Sequence, residues 1–107
     1  VTVNESNVTY INGELRGAGS VENINTSTAA NERVQTYIAD TSGGNIVVSL
    51  PTEPTTGKIW NFKKTTAPNT LQLRATPKTI DGSLTLNINK KDIAITIQFD
   101  GNNYIII

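Results

Sequence analysis

The stretch IAITIQFDGNNYIII, at residues 93–107, decides the class of fold. Between Ile93 and Phe99 every second residue is large and apolar, and the residues between are Ala, Thr and Gln. This two-residue period is typical of a β-strand that buries one face. The turn residues at 100–103 and the apolar Tyr104–Ile107 then complete a hairpin. The stretch therefore predicts a pair of strands that closes the chain.

The same alternation, interrupted by turn residues, recurs from Val34 onward. It predicts seven strands, at Val34–Ala39, Ile46–Leu50, Lys58–Lys64, Thr70–Arg74, Ser83–Asn89, Ile93–Phe99 and Tyr104–Ile107. Short strands at this spacing, without a convincing helix, are typical of sandwich folds. We therefore expect an all-β chain that forms an antiparallel β-sandwich or jelly-roll-like domain.

Residues 1–33 differ in composition from the rest of the chain. They are rich in Asn, Gly, Thr and Ser, and their apolar residues are only weakly periodic. We therefore divide the chain into residues 1–33, an extended neck or linker, and residues 34–107, the sandwich domain. Val1–Val3 and Val8–Ile11 are predicted short strands, and Ser27–Arg33 is interpreted as one helical turn or a linker.

The composition excludes several kinds of chemistry. The 107 residues include no Cys, no His and no Met, and nine Lys plus Arg balance nine Asp plus Glu. Without imidazole or thiol groups there is no Ser-His-Asp or Cys-His catalytic group, no disulfide and no His or Cys metal ligand. Zero net charge gives no long-range attraction to nucleic acid, and no apolar run is long enough to span a membrane. We therefore expect no cofactor, no metal, no nucleic-acid partner and no membrane insertion.

The acidic residues carry no recognisable catalytic motif. An enzyme that hydrolyses polysaccharide needs two carboxylates that face each other across a cleft, whereas the nine Asp and Glu residues are scattered along the chain. Turn chemistry explains the Asp-Gly pairs at Asp81 and Asp100, since each segment supplies one carboxylate and a calcium site needs several. We expect a chain without enzymatic activity.

Trp60, the only Trp, has two interpretations: a platform for sugars or a core residue. It shares a strand face with Phe62, so core packing is the better interpretation. In the same strand Lys63 and Lys64 point to opposite faces, which argues against one basic patch that includes Arg74.

The chain has features of a subunit in an oligomer. Thr occurs 16 times and Asn 13 times, charged residues make up 17%, and a small domain without disulfides buries little core. The continuous apolar run at 104–107 indicates burial on both faces. It is either a strand covered by a loop or by the N-terminal segment, or a strand with one face against a neighbouring subunit. The candidate interface residues are Tyr10, Ile11, Tyr37, Ile105, Ile106 and Ile107.

Residues 37–107 carry an ordered set of short segments. They are Tyr37–Asp40 with Gly43-Gly44, Ile46–Pro51, Gly57–Lys64, Thr79–Ser83, Ile95–Ile97 and Asp100–Ile106. The set resembles a β-domain that recurs near the C-termini of bacteriophage tail fibres, tail spikes and related virion appendage proteins. The resemblance implies a head domain of about seven strands, with residues 1–33 as the neck or the end of the shaft.

The resemblance also implies a function. A non-enzymatic head of this kind is exposed on the virion, forms a homotrimer, and binds a host cell-surface receptor, a glycan or a protein, during attachment. Three weak sites on one head would bind with avidity. The alternative is a structural module that trimerises, caps or assists the folding of the appendage, with receptor binding elsewhere.

Loops carry the specificity of such scaffolds. The loops at 41–45, 52–56, 65–69 and 76–83 are the predicted contact surface. Their candidate receptor-binding residues, with the lysine that precedes the third loop, are Thr41, Ser42, Asn45, Thr55, Thr56, Lys64, Thr66, Asn69, Lys78 and Asp81.

Overall fold

A computed structural model describes residues 10–11, 14–15 and 19–107, and for the first two pairs it describes the backbone only. This part of the chain contains strands and no helix. The strands are β1 (Tyr10–Ile11), β2 (Glu14–Leu15), β3 (Val21–Ile24), β4 (Thr28–Ala29), β5 (Thr36–Ala39), β6 (Ile46–Ser49), β7 (Ile59–Lys64), β8 (Leu71–Arg74), β9 (Thr85–Ile88), β10 (Ala94–Phe99) and β11 (Tyr104–Ile106). The all-β prediction is confirmed for the described residues.

Nine of these strands form two sheets. The first sheet has the order β11-β10-β7-β5-β3 and the second the order β4-β6-β8-β9, while β1 and β2 pair with each other. From β3 to β8 the chain alternates between the sheets, and each strand lies parallel to the strand two earlier. Residues 21–74 therefore wind as three coils. The strands β9, β10 and β11 then add in antiparallel fashion.

The prediction of an antiparallel sandwich of seven strands is therefore wrong in strand direction and strand number. All seven predicted strands are present, within two residues at each end. A two-residue period reports which face is buried and says nothing of direction. Parallel neighbours need a long crossover connection, and here a strand of the opposite sheet supplies it.

The two additional strands, β3 and β4, lie within the predicted neck. β3 pairs with β5 and β4 with β6, and both Ile24 and Ala30 belong to the buried core. The segment interpreted as a helical turn or linker forms β4 and a turn in which the Val34 N–H donates to the Asn31 carbonyl. The predicted strand at 1–3 and the rest of the neck before residue 19, apart from the β1–β2 backbone, lie outside the described residues.

Inward side chains of both sheets form one apolar core. Trp60 is fully buried and its indole N–H donates to the Asn31 carbonyl at 3.0 Å, so its core assignment is confirmed. Tyr37 and Phe62 occupy neighbouring register positions on β5 and β7, and their rings stack with centroids 5.5 Å apart. Tyr104 packs against Phe99 with centroids 5.2 Å apart.

Because of the coil arrangement, the connections lie in two groups, one at each end of the strands. Parallel strands end at the same edge of a sheet, so the connections at 25–27, 40–45 and 65–70 lie together. The turn at 89–93 joins them, because the Asp92 N–H donates to the Lys64 carbonyl at 2.7 Å. We call this group edge A. The remaining connections form edge B, at 30–35, 50–58, 75–84 and 100–103.

Candidate functional site

The four predicted receptor loops do not form one surface. Those at 41–45 and 65–69 lie at edge A, and those at 52–56 and 76–83 lie at edge B. At edge B, Lys78 and Glu53 pair at 3.3 Å and so link the second and fourth loops. The exposed members of the predicted set are therefore divided: Ser42, Asn45 and Asn69 at edge A, and Thr55, Thr56 and Asp81 at edge B.

Thr41 is buried between the two loops of edge A and links them by hydrogen bonds. Its side chain is fully buried and its N–H donates to the Thr66 hydroxyl at 2.9 Å. The Asn69 amide donates to the Thr41 carbonyl at 2.7 Å. Asn69 has φ = 67°, a left-handed conformation that Asn tolerates better than most residues. The prediction of Thr41 as a receptor contact is therefore wrong, and Thr66 and Asn69 fix the loop shape.

Lys64 is fully buried, which removes it from the receptor surface. It follows Trp60 and Phe62 on the inward face of β7, while Lys63 is exposed on the opposite face. The Lys64 amine donates to the carbonyls of Thr66 and Ala67, the second at 3.0 Å. The two-residue period of β7 already predicts that Lys64 points inward, because it lies on the same strand face as Trp60 and Phe62.

Tyr37, a predicted interface residue, is also buried inside its own chain. Its hydroxyl accepts the Asn31 N–H at 3.0 Å, and burial raises the pKa of its phenol. Tyr37 therefore serves the core, and its assignment to an interface is wrong. Ile105 is half-buried, and Ile106 and Ile107 are 39% and 58% exposed. The side chains of Tyr10 and Ile11 lie outside the described residues.

The outer face of the second sheet carries a shallow groove of about 320 Å³. We call it the amide groove and define it by Asn45, Val47, Thr70, Gln72, Arg74 and Asn87. Leu71 and Leu73 of β8 point into the core, so Gln72 and Arg74 point outward. The register of β8 and β9 sets Gln72 opposite Asn87. Of the predicted receptor residues, only Asn45 lies in this groove.

Hydrogen bonds connect the polar side chains of the amide groove. Arg74 Nη2 donates to Gln72 Oε1 at 2.9 Å, and Gln72 Nε2 donates to Asn87 Oδ1 at 2.9 Å. Asn45 Oδ1 accepts the Thr70 N–H at 2.9 Å. The groove thus presents a pre-oriented row of amide and guanidinium groups, which are suited to hydrogen-bonding a polyhydroxylated ligand.

A second cleft, of about 510 Å³, lies beside edge A and is lined by Asn23, Ile24, Asn25, Ile38, Asp40 and Thr65. Asp40 Oδ1 accepts the Ser42 N–H at 2.9 Å. The Ser42 side chain and this N–H hold the pKa of the Asp40 carboxyl below its usual value. Because the carboxylate already holds a turn, this cleft is the weaker candidate for ligand binding.

The outer face of the first sheet carries aliphatic side chains among polar ones. Strand register places Val21, Ile38, Ile59 and Ile105 on it. Ile107 continues this pairing just past β11, since its N–H donates to the Thr96 carbonyl at 2.9 Å. We call these five residues the isoleucine face. Val21 and Ile107 are each 58% exposed. Among the described strand positions of this face, Lys63 is the only charged one.

Three polar residues near the centre of the same face satisfy one another. Asn61 donates to the Thr36 hydroxyl at 3.2 Å and accepts the Thr96 hydroxyl at 2.8 Å. These three occupy neighbouring register positions across β5, β7 and β10. Polar groups that are already paired cost less to remove from water than unpaired ones. This face is therefore suited to burial against another surface.

No protein-family model matches the chain, and no curated protein matches it. Within the described residues, no group of three or more acidic side chains is placed to hold a metal ion. The same part of the chain has no helix that could cross a membrane.

Proposed function

We propose that this chain is a non-enzymatic head domain of a phage fibre or spike, which forms a homotrimer and binds a host-surface glycan. The observation that carries the proposal is the chemical difference between the two outer faces of the fold. One face carries five aliphatic side chains and a central set of paired polar groups, and the other is a groove of amides and an arginine. A chain with two such faces is suited to assemble through one and to bind through the other.

The isoleucine face supports assembly. Exposed apolar surface can mark interaction sites. Val21 and Ile107, each 58% exposed, lie at the two outer strands of this face, and the half-buried Ile38, Ile59 and Ile105 lie between them. A face turned towards a three-fold axis is covered by the same face of two further copies. Lys63, at the end of its strand, would sit at the margin of such an interface.

The amide groove supports glycan binding. Its lining residues lie on the sheet face opposite the isoleucine face, so they stay accessible in such a trimer. Three copies would present three grooves, and multivalent binding exceeds the affinity of one site by about 10²–10⁴. The alternative, a structural cap with receptor binding elsewhere, rests on the isoleucine face alone.

The proposal is tested by applying the purified chain to an array of bacterial surface polysaccharides. We expect wild-type protein to bind at least one polysaccharide. Ile107→Lys should bind the same polysaccharide about 10²–10⁴ times more weakly, because a monomer has one site. Leu84→Lys is the matched control, since Leu84 is 51% exposed and lies outside the isoleucine face. A trimer that binds no polysaccharide and no host cell would favour the structural alternative.

A further inference from the structure

We propose that the amide groove binds an anionic oxygen group, so that its ligand is an acidic saccharide that carries a carboxylate or a phosphate. This inference rests on the proposed glycan binding and adds the chemical class of the glycan. Three properties of the groove carry it: the direction of its hydrogen bonds, its local charge, and the way Arg74 is held.

The hydrogen bonds within the groove use its amide oxygens as acceptors and leave N–H donors available to a ligand. Each of its three amide oxygens accepts from a neighbour: Gln72 Oε1 from Arg74, Asn87 Oδ1 from Gln72, and Asn45 Oδ1 from the Thr70 N–H. A side-chain amide has two donor hydrogens and an arginine has five. The outward polar surface is therefore rich in donors, and a ligand rich in acceptor oxygens fits it.

The groove also carries a local positive charge. Arg74 is exposed and forms no ion pair with another described residue. No carboxylate lines the groove. The acids whose contacts the structure describes are used elsewhere. Glu53 pairs with Lys78, Glu32 and Asp81 accept backbone N–H groups, and Asp40 and Asp100 hold turns. In a chain of zero net charge, this groove is a site where an anion gains attraction at short range.

The guanidinium of Arg74 is oriented rather than loose. Its hydrogen bond to Gln72 fixes one side of the guanidinium, and Gln72 is itself hydrogen-bonded to Asn87. A guanidinium with one edge fixed can offer its other edge as a planar fork, which matches both carboxylate and phosphate oxygens. Neutral sugars offer hydroxyls that donate as well as accept, so they use this surface less fully.

The experiment is an NMR titration of the ¹⁵N-labelled chain with three probes: digalacturonate, glucose 6-phosphate and the neutral disaccharide maltose. We expect the amide signals of Gln72, Arg74 and Asn87 to shift with an acidic probe at concentrations where maltose has no effect. The stronger of the two acidic probes then identifies the anionic group as a carboxylate or a phosphate. Added salt should weaken the binding.

Two variants isolate the charge. Arg74→Gln should weaken binding of the acidic probe at least about tenfold, as expected for loss of a charge-assisted hydrogen bond. Arg33→Gln makes the same chemical change at exposed edge B and should have no effect. A well-dispersed spectrum shows that each variant is folded.

The two proposals fail in different ways. If maltose and the acidic probes shift the groove signals equally and Arg74→Gln changes nothing, the acidic-saccharide inference is overturned while glycan binding stands. If none of the three probes shifts these signals, the inference is overturned as well. Glycan binding then stands or falls with the polysaccharide array.

Discussion

Lys64 lies inside the protein, although lysine side chains are almost never fully buried. The period of β7 places it on the inward face, and its position at the strand end lets the amine reach two loop carbonyls. Without that amine, the carbonyls of Thr66 and Ala67 would lose a donor at a part-buried position.

We expect Lys64→Met to lower the free energy of unfolding by about 1–3 kcal/mol, the usual cost of leaving a buried polar group unsatisfied. Urea denaturation measures it. Lys63→Met is the matched control, since Lys63 is exposed and surface changes stay within about 0.5 kcal/mol. Equal effects of the two variants would contradict the role assigned to the Lys64 amine.

Tyr104 is a second buried polar residue, and its hydroxyl donates to the Pro51 carbonyl. Burial raises the pKa of both Tyr104 and Tyr37 above the ordinary value of 10.0. The neutral phenols are thus favoured in the folded state. Their contribution to stability is complete below pH 10 and is lost as the pH rises above it.

Thermal unfolding followed from pH 7 to pH 12 should therefore show a melting temperature that falls above about pH 10. Tyr104→Phe should remove part of this alkaline loss. It should also lower stability at neutral pH by about 1 kcal/mol through the lost hydrogen bond. An alkaline loss of the same size in wild type and variant would show that Tyr104 does not contribute to it.

Among the elements, two turns contain a carboxylate whose pKa is lowered by hydrogen bonds within the turn. Asp100 Oδ1 accepts the N–H groups of Asn102 and Asn103 at 2.8 and 2.9 Å. These bonds hold the pKa of Asp100 below its model-peptide value of 3.8, and Ser42 does the same for Asp40. The stabilisation is present above that value and is lost as the pH falls through the lowered pKa.

Asp100→Asn keeps an acceptor oxygen at the turn but removes its titration. We expect the variant to lose less stability than wild type between pH 5 and pH 2 in urea melts. Glu53→Gln is the control, since it removes a carboxylate that pairs with Lys78 at the surface instead of holding a turn. If Asp100→Asn leaves the acid loss unchanged, the turn carboxylate is not its source.

The pairing of β5 with β7 is open to a covalent test, since the chain has no cysteine. Ile38 and Lys63 are neighbours in the parallel register of β5 and β7. Ile38→Cys with Lys63→Cys should therefore oxidise to an intramolecular disulfide. Ile38→Cys with Ala94→Cys should not, because Ala94 lies one strand further away, beyond disulfide reach. Peptide mass mapping reads the result, and the opposite outcome would contradict the register.

Sequence periodicity was a good guide to the strands with alternating large apolar residues, such as β7 and β10. Periodicity did not predict β3, because β3 is the outermost strand of its sheet and buries only Ile24. It did not predict β4, because that strand has only two residues. Periodicity cannot predict whether neighbouring strands run parallel or antiparallel, since side chains alternate in the same way in both.

The candidate site was predictable only in part. Asn45 was found because it lies in a turn. Gln72 and Arg74 lie in a strand, so a prediction based on loops does not include them, although the inward Leu71 and Leu73 imply that both face outward. That Gln72 bonds Asn87 depends on the pairing of β8 with β9, which periodicity does not give.

At the scale of the whole molecule, three parallel coils place the loops at two edges and leave two broad faces of different chemistry. In the proposed trimer this arrangement would separate assembly from recognition, because one sheet carries the isoleucine face and the other the amide groove. Trimerisation through the first face is the central claim, since multivalent binding through the second depends on it.

Sedimentation equilibrium tests that claim most directly. For the wild-type chain it should give three times the chain mass of 11.5 kDa across the concentration range. Ile107→Lys should shift the mass towards that of a single chain, while Leu84→Lys remains a trimer. A wild-type chain that stays at the monomer mass, or two variants that behave alike, would contradict the account.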